Sequence, residues 1–382
     1  MTEAFDDFFL RLTGRRPAAY QRALAKRDRL PDGLAAYTGT GKTLAVVVSW
    51  LYQRRVLRRA PRRLVYALPM RTLVEQTAQV VRELKERAGP ELADVGVHIL
   101  MGDEPRPRDD WRLRPHEDQI LIGTIDMLLS RALNRGYAES RYVWPVSFGL
   151  LNNDCRWVFD EVQLMGPAVP TSAQLDGLRR ALGTASPCET LWVSATIDEE
   201  ALRTVDRPEL GEILKLPPED YEQPGSPFHE VVYAEKRLER ASVEGIKPAD
   251  QPGTIAALAA ERHAPGSRTL IVVNRVERAQ AIYLELRRRF RSAAAPPELV
   301  LLHSRFRRAD RDAHMAQLTA PPRAAGTIAV ATQVVEAGID ISAHTLITDV
   351  APFSSIVQRL GRCNRDGRAK DAVAIWLDPG PI

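Results

Sequence analysis

Residues 36–43 have the composition of a phosphate-binding loop. They read Ala-Tyr-Thr-Gly-Thr-Gly-Lys-Thr and precede the apolar run 44–48, which predicts a strand end, a tight loop and a helix start. The unpaired N–H groups of such a loop and the positive end of the helix dipole suit a polyphosphate, whereas the alternative is a glycine-rich turn without a ligand. Lys42 would reach the outer phosphates and Thr43 would bind magnesium. The nucleotide-binding residues predicted here are Thr38, Gly39, Thr40, Gly41, Lys42 and Thr43.

Two acidic residues, Asp160 and Glu161, follow an apolar strand predicted over residues 156–159. Carboxylates at the end of a buried strand cost free energy unless they bind something. In ATPases with a phosphate-binding loop, the first acid holds Mg²⁺ and the second orients the attacking water. We therefore predict Asp160 and Thr43 as metal ligands, Lys42 and Glu161 as catalytic residues, and ATP and Mg²⁺ as cofactors.

Other polar residues lie where they could recognise the adenine base of ATP or couple ATP hydrolysis to the rest of the protein. Gln21 lies near the start of a helix before the loop, and its amide could pair with adenine, the alternative being a helix-surface glutamine. Gln163 follows the acidic pair, and Ser194 and Thr196 follow the apolar strand 190–193. We predict that these last three residues couple the acidic site to a second domain.

A basic cluster comes near the end of the chain. Arg359, Arg362 and Arg365 recur every three residues, so we expect them near one helix face. Clustered cations beside a glycine need an anion, and Arg362 and Arg365 match arginine fingers, catalytic groups that reach a γ-phosphate. The alternative is a surface charge cluster. We predict that Gln358 and Arg359 couple ATP hydrolysis to the rest of the protein. We predict that Gly338 and Asp340 contact the nucleotide.

Further polar residues follow predicted strands, at the edge of an α/β sheet where ligands bind. Such positions could hold the phosphates of a nucleic acid. For Thr72 the alternative is simple capping of a helix. The nucleic-acid residues predicted in this way are Pro69, Arg71, Thr72, Thr124, Asp126, Asn274, His303, Ser304, Thr332 and Gln333.

The elements that carry these residues alternate between buried strands and helices. Apolar strands throughout predict parallel sheets, hence an α/β protein of two tandem domains. We place the first domain at residues 1–206, a proline-rich connector at 207–252 and the second domain at 253–382. A strand is predicted over residues 228–233.

Composition limits the possible functions. The chain has 382 residues, a net charge of +4 and a pI of about 9.0, which is compatible with a nucleic-acid partner. The sequence contains no run of 18 or more apolar residues, so it predicts no membrane span. The start of the chain does not resemble a secretory signal. The three cysteines are far apart in sequence, which favours a reducing cytoplasm over a disulfide framework.

Taken in order, these motifs resemble those of superfamily 2 helicases. The resemblance covers nearly the whole chain and implies two RecA-like domains, each a mostly parallel sheet flanked by helices, with ATP in the cleft between them. The motifs that carry it are Gln21, residues 38–43, 69–72, 160–163, 194–196, 332–340 and 358–365.

A narrower resemblance points to the CRISPR-associated helicase of type I systems. It rests on residues 152–154, 159–166, 302–306 and 331–336. Gln163 and the pair Ala337-Gly338 are similar to the subtype G (formerly U) branch. The resemblance implies a motor that the Cascade complex recruits to an R-loop and that moves on the displaced single-stranded DNA.

The chain departs from that family in two places. Gln163 stands where many relatives have histidine. The family usually carries a histidine–aspartate nuclease, but this sequence has no His-Asp dipeptide, so we expect the nuclease as a partner domain or subunit. An RNA helicase or restriction-type translocase shares every motif, and a nucleic-acid clamp that binds ATP without stepping is the other alternative.

Overall fold

The structure is a computed structural model that describes residues 4–102, 110–137, 139–336 and 338–378. Ala337, one half of the subtype-like pair, lies outside the described residues. The chain forms two compact units, one up to His229 and the other from Glu230. Among the described residues, no helix combines the length and apolar character needed to cross a bilayer.

The first unit is a seven-stranded parallel sheet with helices on both faces. Its strands are β1 (Gly33–Ala35), β2 (Arg63–Leu68), β3 (Gly96–Leu100), β4 (Gln119–Thr124), β5 (Cys155–Asp160), β6 (Cys188–Ser194) and β7 (Ile213–Lys215). Its helices are α1 (Phe5–Thr13), α2 (Ala19–Lys26), α3 (Lys42–Leu51), α4 (Arg71–Ala88), α5 (Ile125–Ala132), α6 (Trp144–Leu151), α7 (Ala168–Leu182) and α8 (Glu199–Leu202). The strand order is β3-β4-β2-β5-β6-β1-β7.

The second unit is a six-stranded parallel sheet in the order β10-β11-β9-β12-β13-β8. Its strands are β8 (Arg237–Ser242), β9 (Arg268–Val272), β10 (Glu298–Leu302), β11 (Thr327–Ala331), β12 (Thr345–Asp349) and β13 (Val373–Asp378). The helices from residue 229 onward are α9 (His229–Val232), α10 (Gln251–Arg262), α11 (Val276–Arg289), α12 (Arg308–Thr319) and α13 (Phe353–Leu360).

Each sheet is covered on both faces, as parallel sheets require. In β2, Leu64, Tyr66 and Leu68 join one buried apolar cluster, whereas Val65 and Ala67 join another. Because side chains alternate across a strand, these two clusters are the cores on opposite faces of the sheet. The apolar runs in the sequence therefore indicated the strands correctly, and the prediction of an α/β protein with two parallel sheets is confirmed.

Residues 207–252 hold structure that the sequence did not indicate. Strand β7 pairs with β1 of the first sheet, and β8 pairs with β13 of the second. The strand predicted over residues 228–233 is wrong, since this segment contains the short helix α9. The prolines there interrupt long helices, but they do not prevent short edge strands.

Candidate ATP site and nucleic-acid groove

The predicted phosphate-binding loop connects β1 to α3. Ala35 ends β1 in register with Ser194 of β6, and α3 begins at Lys42. Gly39 and Gly41 have φ angles of 86° and 80°, a left-handed conformation that favours glycine. The two glycines thus allow the tight turn that ends at the N-terminus of α3.

Asp160 is buried beneath this loop at the end of β5, with 4% of its surface exposed. Its Oδ2 accepts a 2.6 Å hydrogen bond from the Tyr66 hydroxyl, and its Oδ1 accepts one of 2.9 Å from the Glu161 amide. Thr43 lies beside the same tyrosine, where it partly opposes the burial that raises the pKa of Tyr66. The structure therefore brings the two predicted magnesium ligands, Thr43 and Asp160, to the same tyrosine of the neighbouring strand.

The Asp160 carboxyl is destabilised as an anion. Burial and the nearby Glu161 raise the pKa of Asp160 to about 6, although Lys42 and Tyr66 oppose the rise. Lys42 Nζ lies 3.7 Å from Glu161 Oε1 and donates a 3.2 Å hydrogen bond to the Ala36 carbonyl. One lysine thus stands beside two carboxylates, and a divalent cation would relieve their remaining repulsion. This donor set fits Mg²⁺ together with a polyphosphate.

A chain of hydrogen bonds leads from Glu161 to the end of β6. Gln163 Nε2 donates to Glu161 Oε2 at 2.6 Å, and Gln163 Oε1 lies 2.6 Å from the Ser194 hydroxyl. The Ser194 hydroxyl accepts from the Thr196 amide at 3.0 Å. Glu161 itself has φ 59°, an uncommon conformation for a residue other than glycine. The residues predicted to couple the acidic site are connected to it within the first unit.

Gln21 lies against the loop but is already engaged. Its Oε1 accepts from the Ala18 amide at 2.9 Å, and its Nε2 lies 3.4 Å from the Tyr20 hydroxyl. Asp220, which sequence reasoning missed, accepts hydrogen bonds of 2.8 and 2.9 Å from the amides of Ala19 and Tyr20. This buried carboxylate caps the helix of Gln21. Contact between Gln21 and adenine stays a prediction.

A groove of about 750 Å³ runs along the carboxyl edge of the first sheet. It is lined by four of the five residues predicted there to contact nucleic acid, namely Pro69, Arg71, Thr124 and Asp126. Helices α4 and α5 start at this groove, and neither has a side-chain cap. The groove therefore contains the first-turn backbone N–H groups of two helices, which have no cap from their N-cap side chains, together with the Arg71 guanidinium, and such groups suit a phosphate.

Thr72 differs from its neighbours. The cap position of α4 is Met70, so the alternative of capping by Thr72 is wrong. Its hydroxyl oxygen is buried and has no hydrogen-bond partner in the described part of the chain. The groove lining does not include Thr72, and its contact with nucleic acid stays a prediction.

In the second unit, Arg359 holds several strand ends together. This buried guanidinium donates to Glu336 at 2.7 Å, to Thr348 Oγ1 at 2.9 Å and to Asn274 Oδ1 at 2.8 Å. Gln333 Nε2 donates to the Asn274 carbonyl at 3.3 Å. The structure thus joins one residue predicted for coupling to two predicted for nucleic acid.

The other residues predicted for nucleic acid in this unit differ in exposure. His303 is buried and stacks on Phe306, with 4.1 Å between ring centroids. Burial lowers the pKa of His303, so its ring is neutral at physiological pH. Thr332 is buried at the end of β11, whereas Ser304 and Gln333 are exposed. Contact of these four residues with nucleic acid stays a prediction.

The three arginines do not lie on one helix face, so that expectation is wrong. Helix α13 ends at Leu360, and Gly361 follows it, which places Arg362 and Arg365 beyond the helix. Arg362 is buried and donates to the carbonyls of Val335 and Glu336 at 2.9 and 2.7 Å. Arg365 is more exposed and pairs with Asp340 at 2.8 Å. Three-residue spacing alone does not show where a helix stops.

Two further predicted residues of this unit are Gly338, from the motif at residues 332–340, and Gln358, from the motif at residues 358–365. Gly338 has φ 80°, and Gln358 is buried in α13. The catalytic roles of Arg362 and Arg365 and the nucleotide contacts of Gly338 and Asp340 stay predictions.

Two family models match the chain one after the other. The model of the DEAD/DEAH box helicases matches residues 17–205, and that of the C-terminal part of the CRISPR-associated nuclease/helicase Cas3 matches residues 265–368. Together they include the phosphate-binding loop, the acidic pair and the three arginines.

Among proteins of known sequence, the CRISPR-associated helicase Cas3 of Thermoproteus tenax is 32% identical over 117 residues, covering 30% of this chain and 19% of that protein. The putative CRISPR-associated nuclease/helicase Cas3 of Myxococcus xanthus is 44% identical over 68 residues, covering 17% and 9%. These matches cover less than a fifth of either relative.

Solved structures share the fold. T. fusca Cas3 superposes with a TM-score of 0.70 at 22% identity, covering 99% of this chain and 48% of that one. S. cerevisiae Dbp5, bound to RNA and ADP BeF3, superposes with a TM-score of 0.64 at 17% identity, covering 98% and 87%. The prediction of two RecA-like domains is confirmed, and the chain spans about half the length of the T. fusca protein.

Proposed function

We propose that the chain, which matches the DEAD/DEAH box helicase model over residues 17–205 and has relatives among the CRISPR-associated helicases, is an ATP-driven motor on single-stranded DNA in type I CRISPR interference. The observation that carries this proposal is the hydrogen-bonded chain from Glu161 through Gln163 to Ser194. A motor must connect the residue that orients the attacking water to the rest of its domain. A protein that only binds ATP has no need for such a connection.

The chemistry assigned to the first unit follows from its contacts. Lys42 and the loop amides hold the phosphates, and Asp160 and Thr43 hold Mg²⁺, which when bound neutralises charge on the β- and γ-phosphates. Glu161 orients the attacking water, and Gln163 fixes the carboxylate that does so. The low exposure of Asp160 and Lys42, 4% and 7%, keeps these electrostatic interactions strong.

The resemblance supplies the rest of the proposal. ATP would bind in a cleft between the two domains, where Gly338 and Asp340 would face it and Arg362 and Arg365 would stabilise the transition state. The DNA strand would contact the groove at Arg71 and the exposed strand ends of the second domain. Buried Arg359 would couple them.

The same resemblance supplies the biological setting. Cascade would recruit the motor to an R-loop in the cytoplasm, and a histidine–aspartate nuclease domain or subunit would act with it. Gln163 and the sequence pair Ala337-Gly338 support the subtype G branch.

Glu161→Gln tests the motor. Wild-type protein should hydrolyse ATP faster when single-stranded DNA is added and should displace a labelled strand from a partial duplex. Glu161→Gln should bind an ATP analogue with wild-type affinity and lose ATP turnover. Normal turnover by Glu161→Gln would refute the catalytic assignment. Stimulation by RNA but not DNA would favour the RNA helicase alternative, and hydrolysis without displacement would favour the clamp.

A further inference from the structure

The groove at the carboxyl edge of the first sheet has an apolar wall that no motif indicated. Besides Arg71 and Thr124, it is lined by Met127, Leu129, Leu133 and Tyr137. Among the described residues, its charged lining consists of one guanidinium, Arg71, and one carboxylate, Asp126. Contacts between this apolar wall and the bases of a strand would therefore add to the affinity that its phosphates obtain from Arg71 and the helix N-termini.

Tyr137 is the aromatic residue of this wall. Its side chain is 69% exposed, and within the described residues no ring or side-chain hydrogen bond engages it. A single exposed tyrosine needs no explanation by itself. Tyr142 is even more exposed, at 95%, but it does not line the groove. The location of Tyr137, and not its exposure, is what distinguishes it.

Hydrogen bonds hold the backbone of residues 135–137. Its amide donates to Ser130 Oγ at 3.2 Å, and the Arg135 amide donates to the Ser130 carbonyl at 2.8 Å. The Trp144 indole donates to the Gly136 carbonyl at 3.1 Å. The turn after α5 is thus tied both to that helix and to α6. A tyrosine whose backbone is held in this way loses little conformational entropy when it receives a base.

We propose that Tyr137 is a stacking platform for one base of the single-stranded DNA whose phosphates contact Arg71 and the N-termini of α4 and α5. This inference rests on the proposed function and adds a base contact to it. Stacking on an aromatic ring accepts any base, which suits a motor that must pass over every sequence.

The test is binding of a fluorescent oligothymidylate to wild type, Tyr137→Ala and Tyr137→Phe, with Tyr142→Ala as the matched control. Tyr137→Ala should bind about 5- to 150-fold more weakly, the loss measured for one stacked base. Tyr137→Phe keeps the ring and should bind like wild type, as should Tyr142→Ala. The salt dependence of Kd should not change in Tyr137→Ala, because tyrosine releases no counterion.

A strand of abasic sites gives the second measurement. Wild type and Tyr137→Ala should bind this strand equally, since it has no base to stack. Equal binding of oligothymidylate by a folded Tyr137→Ala would overturn the inference, as would a Tyr137→Phe variant as weak as Tyr137→Ala. Failure of wild type to bind any single-stranded DNA would instead overturn the proposed function, so the two outcomes are distinguishable.

Discussion

Replacing Asp160 with asparagine should stabilise the folded protein while it abolishes ATP hydrolysis. Asparagine keeps the shape of the side chain and can still pair with the Tyr66 hydroxyl and the Glu161 amide, which lie 2.6 and 2.9 Å from the carboxylate. It removes the buried negative charge beside Glu161. The negative charge of Asp160 therefore lowers the stability of the ligand-free protein, and the proposed Mg²⁺ site requires it.

The size of this loss of stability follows from the pKa of Asp160. Burial and Glu161 raise the pKa of Asp160 from 3.8 to about 6, and a difference of about 2 corresponds to about 3 kcal/mol at neutral pH. The folded state binds the proton more tightly than the unfolded chain, so stability is highest below the unfolded pKa and falls as pH rises through the folded one. The same linkage relation gives a further loss of roughly 1 kcal/mol between about pH 5 and about pH 7.5.

Thermal unfolding of the ligand-free protein at those two pH values measures this effect. Asp160→Asn should raise Tm by roughly 6–12 °C at the higher pH, with a smaller gain at the lower pH. Glu86→Gln removes a charge from the exposed surface of α4 and should leave Tm nearly unchanged. An Asp160→Asn variant with the same or a lower Tm at both pH values would refute the electrostatic reasoning.

Two further predictions concern the coupling residues and the arginines. Gln163→Ala breaks the link between Glu161 and Ser194 and should reduce strand displacement more than ATP turnover. Gln163→His keeps a side chain that can hydrogen-bond and should restore displacement, and equal loss of both activities in Gln163→Ala would contradict a coupling role. Arg359→Ala leaves Glu336 buried without its cation and should cost roughly 3–5 kcal/mol of stability, measured by denaturant unfolding. Arg365→Ala, at a more exposed position, should keep wild-type stability and lower kcat by roughly 10³-fold or more, and an unchanged kcat would remove Arg365 from the catalytic set.

Local features of the sequence determined the phosphate-binding loop and the strands. Gly39, Gly41 and Lys42 are consecutive parts of one turn, so their spacing alone predicts that turn. Apolar runs likewise predicted buried parallel strands, and polar residues directly after them had to lie at the carboxyl edge of a sheet. These inferences need only the backbone geometry of a few neighbouring residues.

Only the tertiary structure decided which distant residues complete the site. Tyr66 reaches Asp160 because β2 and β5 are neighbours in the sheet, and Asp220 caps α2 from 200 residues away in sequence. The sequence did not indicate that α13 ends before Arg362, or that Tyr137 lies in the groove with Arg71. Such contacts depend on strand order and on how turns fold back, and no short-range pattern records either of them.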